Sequence, residues 1–509
     1  MRSRLVFFGA SLACAGTLAG QAPAPPLLLI EHVTVLALTG EPEAPDQSVL
    51  IRGGRIDRIG PSGSFSAPRG ALRLEGRGGV LIPGLWDAHV HQATAPLGPP
   101  SDSTRGLASN RRYFADLFLA YGITSVRDMA GMLDSLVVWR AQAANGTVLS
   151  PRMLVTGWKL GGEVPVIPGA PYPSTTPEAV RRSVALLKEH GADFVKLETG
   201  IDPGMYPVVA EASRAAGLRF LGHVSVRMDP GDAAARGQLT IEHLMGLPVA
   251  VSRHRVDLQR ALRRLNQPER LSWWERLWLR LRPPPARVVV KRELAATFDS
   301  LAAAALYARF AQYGTAQTPT LVMERRRAGF WPLRAPASAE SVLVVPGLGA
   351  IPGGKRPRES IEADSLYYDL EQKIVRGMQR AGVTILAGSD VPQAGVPGAS
   401  LHDELELLVA AGLTPYQALA AATINPARVH GLADSLGTIE PGKIADLVLL
   451  SGDPLQDIRH TRDIRAVILR GRVLDRQTLD SLLADATALA VRWRAVAAAQ
   501  NGAQGRPVR

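Results

Sequence analysis

Short apolar runs alternate with helical stretches along most of this chain, and that alternation limits the fold more than any other feature. Residues 85–91, 122–128, 152–157, 194–199, 219–224, 240–244, 318–322 and 383–390 read as eight strands. Helical patterns lie between them, as at 177–190 and 207–216. Runs that are apolar throughout suit strands covered on both faces, as in parallel sheets. This count and alternation predict an α/β fold of the (β/α)8 TIM barrel type. Thr414 before Pro415 predicts a helix with a capping hydroxyl and proline at its first position.

The two ends have a different texture. Residues 27–82 and 436–475 hold short β-branched runs separated by turns such as Arg52-Gly53-Gly54-Arg55. They predict one small composite β-sandwich formed by the N- and C-terminal segments. The expected organisation is a signal peptide at 1–22, sandwich strands at 23–82 and a barrel at 83–435. Further sandwich strands follow at 436–475, then a C-terminal helix and tail at 476–509. Residues 250–300 and 324–360 exceed what a crossover needs and read as insertions.

The chain has 509 residues, 46% hydrophobic and 20% charged, which excludes a wholly disordered chain and a multi-pass membrane protein. Arg2 and Arg4 precede an apolar run at 5–19 that is short for a membrane span, the pattern of an export signal. A periplasmic or secreted location is therefore expected. The stretch Ser11-Leu12-Ala13-Cys14 also resembles a bacterial lipoprotein box, so a lipid anchor at Cys14 stands beside ordinary cleavage. Cys14 is the one cysteine, which excludes an intramolecular disulfide and a Cys-based zinc cluster. The net charge is +12, yet residues 253–292 alone carry twelve Arg or Lys against three acids. The rest of the mature chain is nearly neutral, so nucleic acid is not an expected partner. Trp273, Trp274 and Trp278 share that basic segment at helical spacing. Its readings are a lid over substrate, a patch on anionic lipid at the membrane surface, or a solvated helical hairpin packed on the barrel.

The sharpest local signal is Pro83-Gly84-Leu85-Trp86-Asp87-Ala88-His89-Val90-His91. His89 and His91 stand at i and i+2, so on a strand both point to one face. Lys196 lies inside an apolar run, where a bare ammonium is costly to bury. His223, His243 and Asp390 fall where predicted strands meet their loops. Six ligand-type residues on five predicted strands would converge at the carboxyl end of a barrel, where barrel enzymes place their sites. Imidazoles and carboxylates suit zinc and its neighbours.

These stretches, with GITSVRD, GADFVKLETG, GHV, IEH, AGSD and the later AAATINPA and LGTIEPGKIADLVLLSGDPL, resemble the amidohydrolase superfamily of metal-dependent hydrolases. The similarity is strongest to its imidazolonepropionase-like and prolidase-like branches. It implies that His89, His91 and Asp390 bind a more buried divalent ion, and that His223 and His243 bind a more exposed one. Lys196, carboxylated by carbon dioxide, would bridge both together with a hydroxide. Zinc is the expected metal, with manganese, iron and cobalt as alternatives. Asp390 would act as general base and then as general acid. The implied activity is cleavage of a C–N bond in a small amide or peptide: a dipeptide, an N-acyl amino acid or a cyclic amide. A lactonase or esterase on the same site is the alternative, and a catalytically silent scaffold is the rival of another class. Arg127, Arg227 and His402 are weaker candidates for substrate contact. Arg127 is expected to pair with Asp128, and Glu242 to face away from the pocket. Self-association into a homo-oligomer is left open.

Overall fold

The computed structural model describes residues 27–93, 103–161, 174–225, 227–266, 286–328, 340–344, 357–393 and 395–503. The expected signal peptide, Cys14 and the three tryptophans of the basic insertion lie outside the described residues.

Five strands open the described chain: β1 (Leu28–Val35), β2 (Ala44–Arg52), β3 (Arg55–Pro61), β4 (Leu72–Glu75) and β5 (Val80–Pro83). The β2–β3 hairpin turns at Gly53 and Gly54, with φ of 59° and 77°, the conformation a two-residue turn of matching twist requires. Eight short strands follow: β6 (Leu85–Val90), β7 (Ile123–Asp128), β8 (Arg152–Val155), β9 (Lys159–Leu160), β10 (Phe194–Leu197), β11 (Arg219–Gly222), β12 (Thr240–Glu242) and β13 (Ala316–Thr318). Three more close the order: β14 (Leu447–Leu450), β15 (Ile464–Leu469) and β16 (Arg472–Asp475).

Strands from both ends do meet, but in one sheet. Its order is β16-β15-β14-β5-β1-β2-β3, with β4 beside β1, and β14 runs antiparallel to β5 with Leu447 opposite Pro83. A small composite sandwich was expected; the described residues of the two end segments form one eight-stranded sheet, which does not establish a sandwich. Hydrogen bonds from Ile56 N to Lys443 O (2.9 Å) and from Ala445 N to Gly54 O (2.9 Å) tie the β2–β3 hairpin back to the approach to β14. The sheet encloses its own core of Leu28, Val49, Leu81, Leu447 and Ile468.

The middle of the chain is a mixed α/β arrangement whose strand pairs are all parallel. The strands fall into a three-stranded sheet, β6-β7-β8, and a five-stranded sheet, β13-β12-β11-β10-β9. Among the described residues no closed eight-stranded barrel is formed as one sheet. The expected eighth strand at 383–390 is reduced to isolated bridges, Gln317 to Ile385 and Val90 to Val391. Its backbone still joins the two sheets: Leu386 N donates to Gln317 O (2.8 Å) and Ala88 N to Ala387 O (2.9 Å). The ladder breaks because the segment passes so near its neighbours. A Cβ at Gly388 would lie 2.6 Å from Thr318 and 2.9 Å from His89, so only glycine fits. Asp390 then takes φ +55°, which turns the chain out of strand geometry.

The expected strand at 318–322 is also displaced. Strand β13 ends at Thr318, Pro319 supplies no N–H, and residues Leu321–Arg327 form a helix. The buried Glu404 carboxylate accepts Val322 N at 2.8 Å, satisfying a donor that the helix start leaves open. Other local signals correspond to what is found. Thr414 and Gln417 form a reciprocal capping box on the helix Pro415–Ala421. The C-terminal helix Arg476–Ala503 packs Trp493 against Tyr113, ring centres 5.0 Å apart. No helix among the described residues is long and apolar enough to cross a membrane.

Candidate metal centre

Four imidazoles, one carboxylate and one lysine gather at the carboxyl ends of the parallel strands. His89 Nε2 and His91 Nε2 lie 3.5 and 3.3 Å from the same Asp390 oxygen. Potential ligand atoms of these three residues all fall within 4.8 Å of one another. The His243 ring centre is 4.5 Å from that of His89 and 5.1 Å from that of His223. Lys196 is buried on β10, close enough for its charge to act on His89, His223, His243 and Asp390. All six residues expected to converge are therefore brought to one place.

Each imidazole is held by its Nδ1. His89 meets Glu242 at 2.8 Å, His91 meets the Ala130 carbonyl at 3.4 Å, His223 meets Glu198 at 2.5 Å and His243 meets Thr320 at 2.6 Å. That leaves each Nε2 for the shared space, the arrangement by which outer hydrogen bonds orient metal-binding histidines. Burial, reinforced by the nearby Lys196 charge, depresses the His89 and His223 rings below their usual range. Burial likewise holds the His243 ring well below it. Neutral imidazole is the form that binds metal. Burial pushes the Asp390 carboxyl up, but His243 and His91 outweigh it and hold it at about 2. Burial pulls the Lys196 ammonium down to about 8 despite the Glu242 and Glu198 carboxylates.

Within this cluster, His89 Nε2 and Lys196 Nζ are among the buried polar atoms of the described residues that lack a hydrogen-bond partner. An orphaned buried group calls for a partner, and an ion held among the neighbouring imidazoles and Asp390 would supply one to both atoms. Neutral imidazoles, an anionic carboxylate and a lysine able to become one form a donor set that fits divalent cations.

Two carboxylates complete the site that sequence reasoning had not assigned to it. Glu198 accepts from His223 and pairs with Lys159 at 2.6 Å. Burial raises its carboxyl, but these partners outweigh it and hold it far below the usual range. Its signal was available, since Glu198 is i+2 from Lys196 and a strand would place both on one face. Glu242 does not face away. It is fully buried, contacts His89 and receives two hydrogen bonds from Arg127 Nη2, at 2.9 and 3.0 Å. Strand alternation misleads here because β12 ends at Glu242 and His243 already has φ +55°.

The weaker candidates are taken up by other protein groups. Arg127 is fully buried and pairs with Glu242, not with Asp128, while donating to Ala88 O at 2.6 Å. Asp128 accepts from Gln92 N and Ala130 N instead. His402 turns its ring nitrogens to Thr461 (2.9 Å) and the Tyr121 carbonyl (3.0 Å). Arg227 forms a partly exposed pair with Asp202 at 2.6 Å.

Gly222 ends β11 with φ +118°, and a Cβ there would lie 2.6 Å from both Leu197 O and Lys196 Cδ. Gly222→Ala is expected to displace Lys196, to lower bound metal and to cost about 1–3 kcal/mol of stability, as overpacking does. Urea unfolding and metal analysis of the variant check this.

A mixed α/β protein with a His/Asp/Lys cluster at its parallel strand ends is the class that the fold and the site define. Residues 360–474 match the family model described as "Amidohydrolase family". An adenine deaminase of Chelativorans sp. (strain BNC1) is 28% identical over 220 residues, 42% of this chain and 34% of that protein. An ochratoxinase of Aspergillus niger is 35% identical over 100 residues, 19% of this chain and 20% of that protein. The chain thus spans about a third or less of the length of these curated relatives. Among solved structures, a bottromycin amidohydrolase superposes with a TM-score of 0.67 at 20% identity, covering 92% of each chain. A Xaa-Pro dipeptidase superposes at 0.63 and 18% identity, covering 88% of this chain and all of the other. The similarity to the amidohydrolase family thus extends over residues 360–474, and the solved structures share the fold of this chain.

Proposed function

We propose that this chain is an exported, binuclear metal-dependent hydrolase that cleaves a C–N bond of a small amide or peptide. The carrying observation is the strand-end cluster itself, where His89 Nε2 and Lys196 Nζ are buried without hydrogen-bond partners amid imidazoles pinned by their Nδ1 atoms. The dipeptidase and amidohydrolase among the structural neighbours support an amide as substrate. The two parallel sheets and the segment joining them are read as one distorted barrel with the site at its carboxyl end.

His89, His91 and Asp390 would hold one ion, and His223 and His243 a second. Lys196 would serve both after its neutral amine adds to carbon dioxide, forming an N–C bond and releasing one proton. Divalent ions, with zinc expected, would supply Lewis acidity and lower the pKa of water. Asp390 would accept a proton from the attacking water and deliver it to the leaving nitrogen. Glu198, Glu242 and Thr320 keep three of the imidazoles turned inward.

The test is a screen of dipeptides, N-acyl amino acids, cyclic amides and lactones with zinc and bicarbonate supplied, alongside metal analysis. Hydrolysis of an amide and about two metals per chain are expected. Chelation should abolish turnover and zinc should restore it. No hydrolysis together with no stoichiometric metal would overturn the proposal. A metal count near one, with Lys196→Ala fully active, would remove the bridging role of Lys196.

A further inference from the structure

The loops that carry His223 and His243 away from their strands also build one wall of a cavity of about 300 Å³. Met228 and Met245 stand on that wall, five residues after His223 and two after His243. Two residues span at most about 7 Å of chain, so the wall starts within that reach of the His243 backbone. Met245 N donates to Glu242 O at 3.0 Å, which folds the loop back against the strand end.

The facing wall comes from the helices Arg255–Asn266 and Ala286–Ala296, through Leu262, Val290 and Leu294. This wall is tied to the same site. Lys291, on the second helix, lies 3.7 Å from Glu324 of the helix Leu321–Arg327, and Thr320 just before that helix holds His243. Lys291 is otherwise occupied by Asp364 at 2.8 Å and by the Tyr367 ring at 4.6 Å. The lining is thus largely apolar, and one of its cations is already neutralised. A cavity of this size and character suits an apolar group of a small ligand.

We infer that this cavity receives an apolar acyl or side-chain group of the substrate, so that the preferred substrates are amides carrying a bulky hydrophobic substituent. The inference rests on the hydrolase reading and names the substrate class for that site. It also gives part of the 250–300 insertion a task, since two helices within it supply the facing wall.

The test compares N-acetylglycine with N-octanoylglycine, both as calorimetric ligands of metal-free protein and as substrates of zinc-loaded protein. Wild type should bind the octanoyl compound at least about tenfold more tightly, because burying methylenes is favourable. Val290→Trp, which fills the cavity, should remove that preference. Leu262→Ala, which enlarges it, should shift the preference to longer chains and guards against a filled variant that fails to fold. Equal affinity for the two compounds, or a preference that survives Val290→Trp, would overturn the inference. Turnover without chain-length preference would sink the cavity reading alone. Chain-length-dependent binding without turnover would sink the hydrolase reading and leave the cavity as an apolar ligand site.

Discussion

Asp390→Asn is expected to lower kcat by about 10²–10⁴-fold, the range that positioned proton transfer contributes. Asparagine keeps an oxygen where the carboxylate stood, 3.3 Å from His91 Nε2 and 3.5 Å from His89 Nε2, so much of the metal-binding geometry survives. It cannot take a proton in the relevant range. Metal content near the wild-type value together with a collapsed kcat and a little-changed KM is the expected pattern. Metal content and kcat falling in strict proportion would reduce Asp390 to a ligand, with no separate role for its proton. The carboxylate suits the task because His243 and His91 keep it ionised against the burial that would otherwise protonate it.

Arg127→Met should be the most destabilising single change near the site. Arg127 and Glu242 are both fully buried, and the guanidinium donates to Glu242, to Thr240, to Thr318 and to the Ala88 carbonyl. Removing it strands a carboxylate inside the protein, which costs about 3–5 kcal/mol. Adding Glu242→Gln should recover part of that loss, since no charge is then left uncompensated. The recovery separates an ion-pair effect from a packing effect; equal unfolding midpoints for the single and double variants would refute it. Glu242→Gln alone carries a second expectation. The His89 ring loses its charged anchor, and metal affinity measured by chelator competition should fall about 10–100-fold, as for other groups that orient metal-binding histidines. Unchanged affinity would mean that the strand backbone alone orients His89.

Much of this site was legible because strand ends announce themselves locally. His89 and His91 are two apart on an apolar run, and Lys196 interrupts another, so period-two geometry and the cost of a buried ammonium single them out. The supporting groups were harder to see. Glu242 is directed by a residue beyond its strand, His243 at φ +55°, and no period-two pattern registers such a turn. Arg127 looked for its partner next door at Asp128 and found it across the interior at Glu242. The same limit governs the fold. Residues 318–322 are apolar enough for a strand, but Pro319 and the distant Glu404 start a helix there. At 383–390 the β character of the residues is overruled by the close approach of β6 and β13 around Gly388. In each case a residue remote in sequence decides, and local pattern cannot supply it.

The sheet shared by the two ends of the chain has a consequence for synthesis. Pro83 and the rest of β5 wait for Leu447–Leu450, which the ribosome adds only after nearly the whole parallel core has been made. Until then β5 offers an open edge of backbone donors and acceptors, the kind of surface that invites pairing with other chains. Contacts this distant in sequence also slow folding. A nascent chain halted before residue 447 should therefore hold its first five strands unfinished, aggregate readily and be cut by proteases there, however well its central strands have formed. The last strands act as the clasp of the molecule, and its maturation is timed by their arrival.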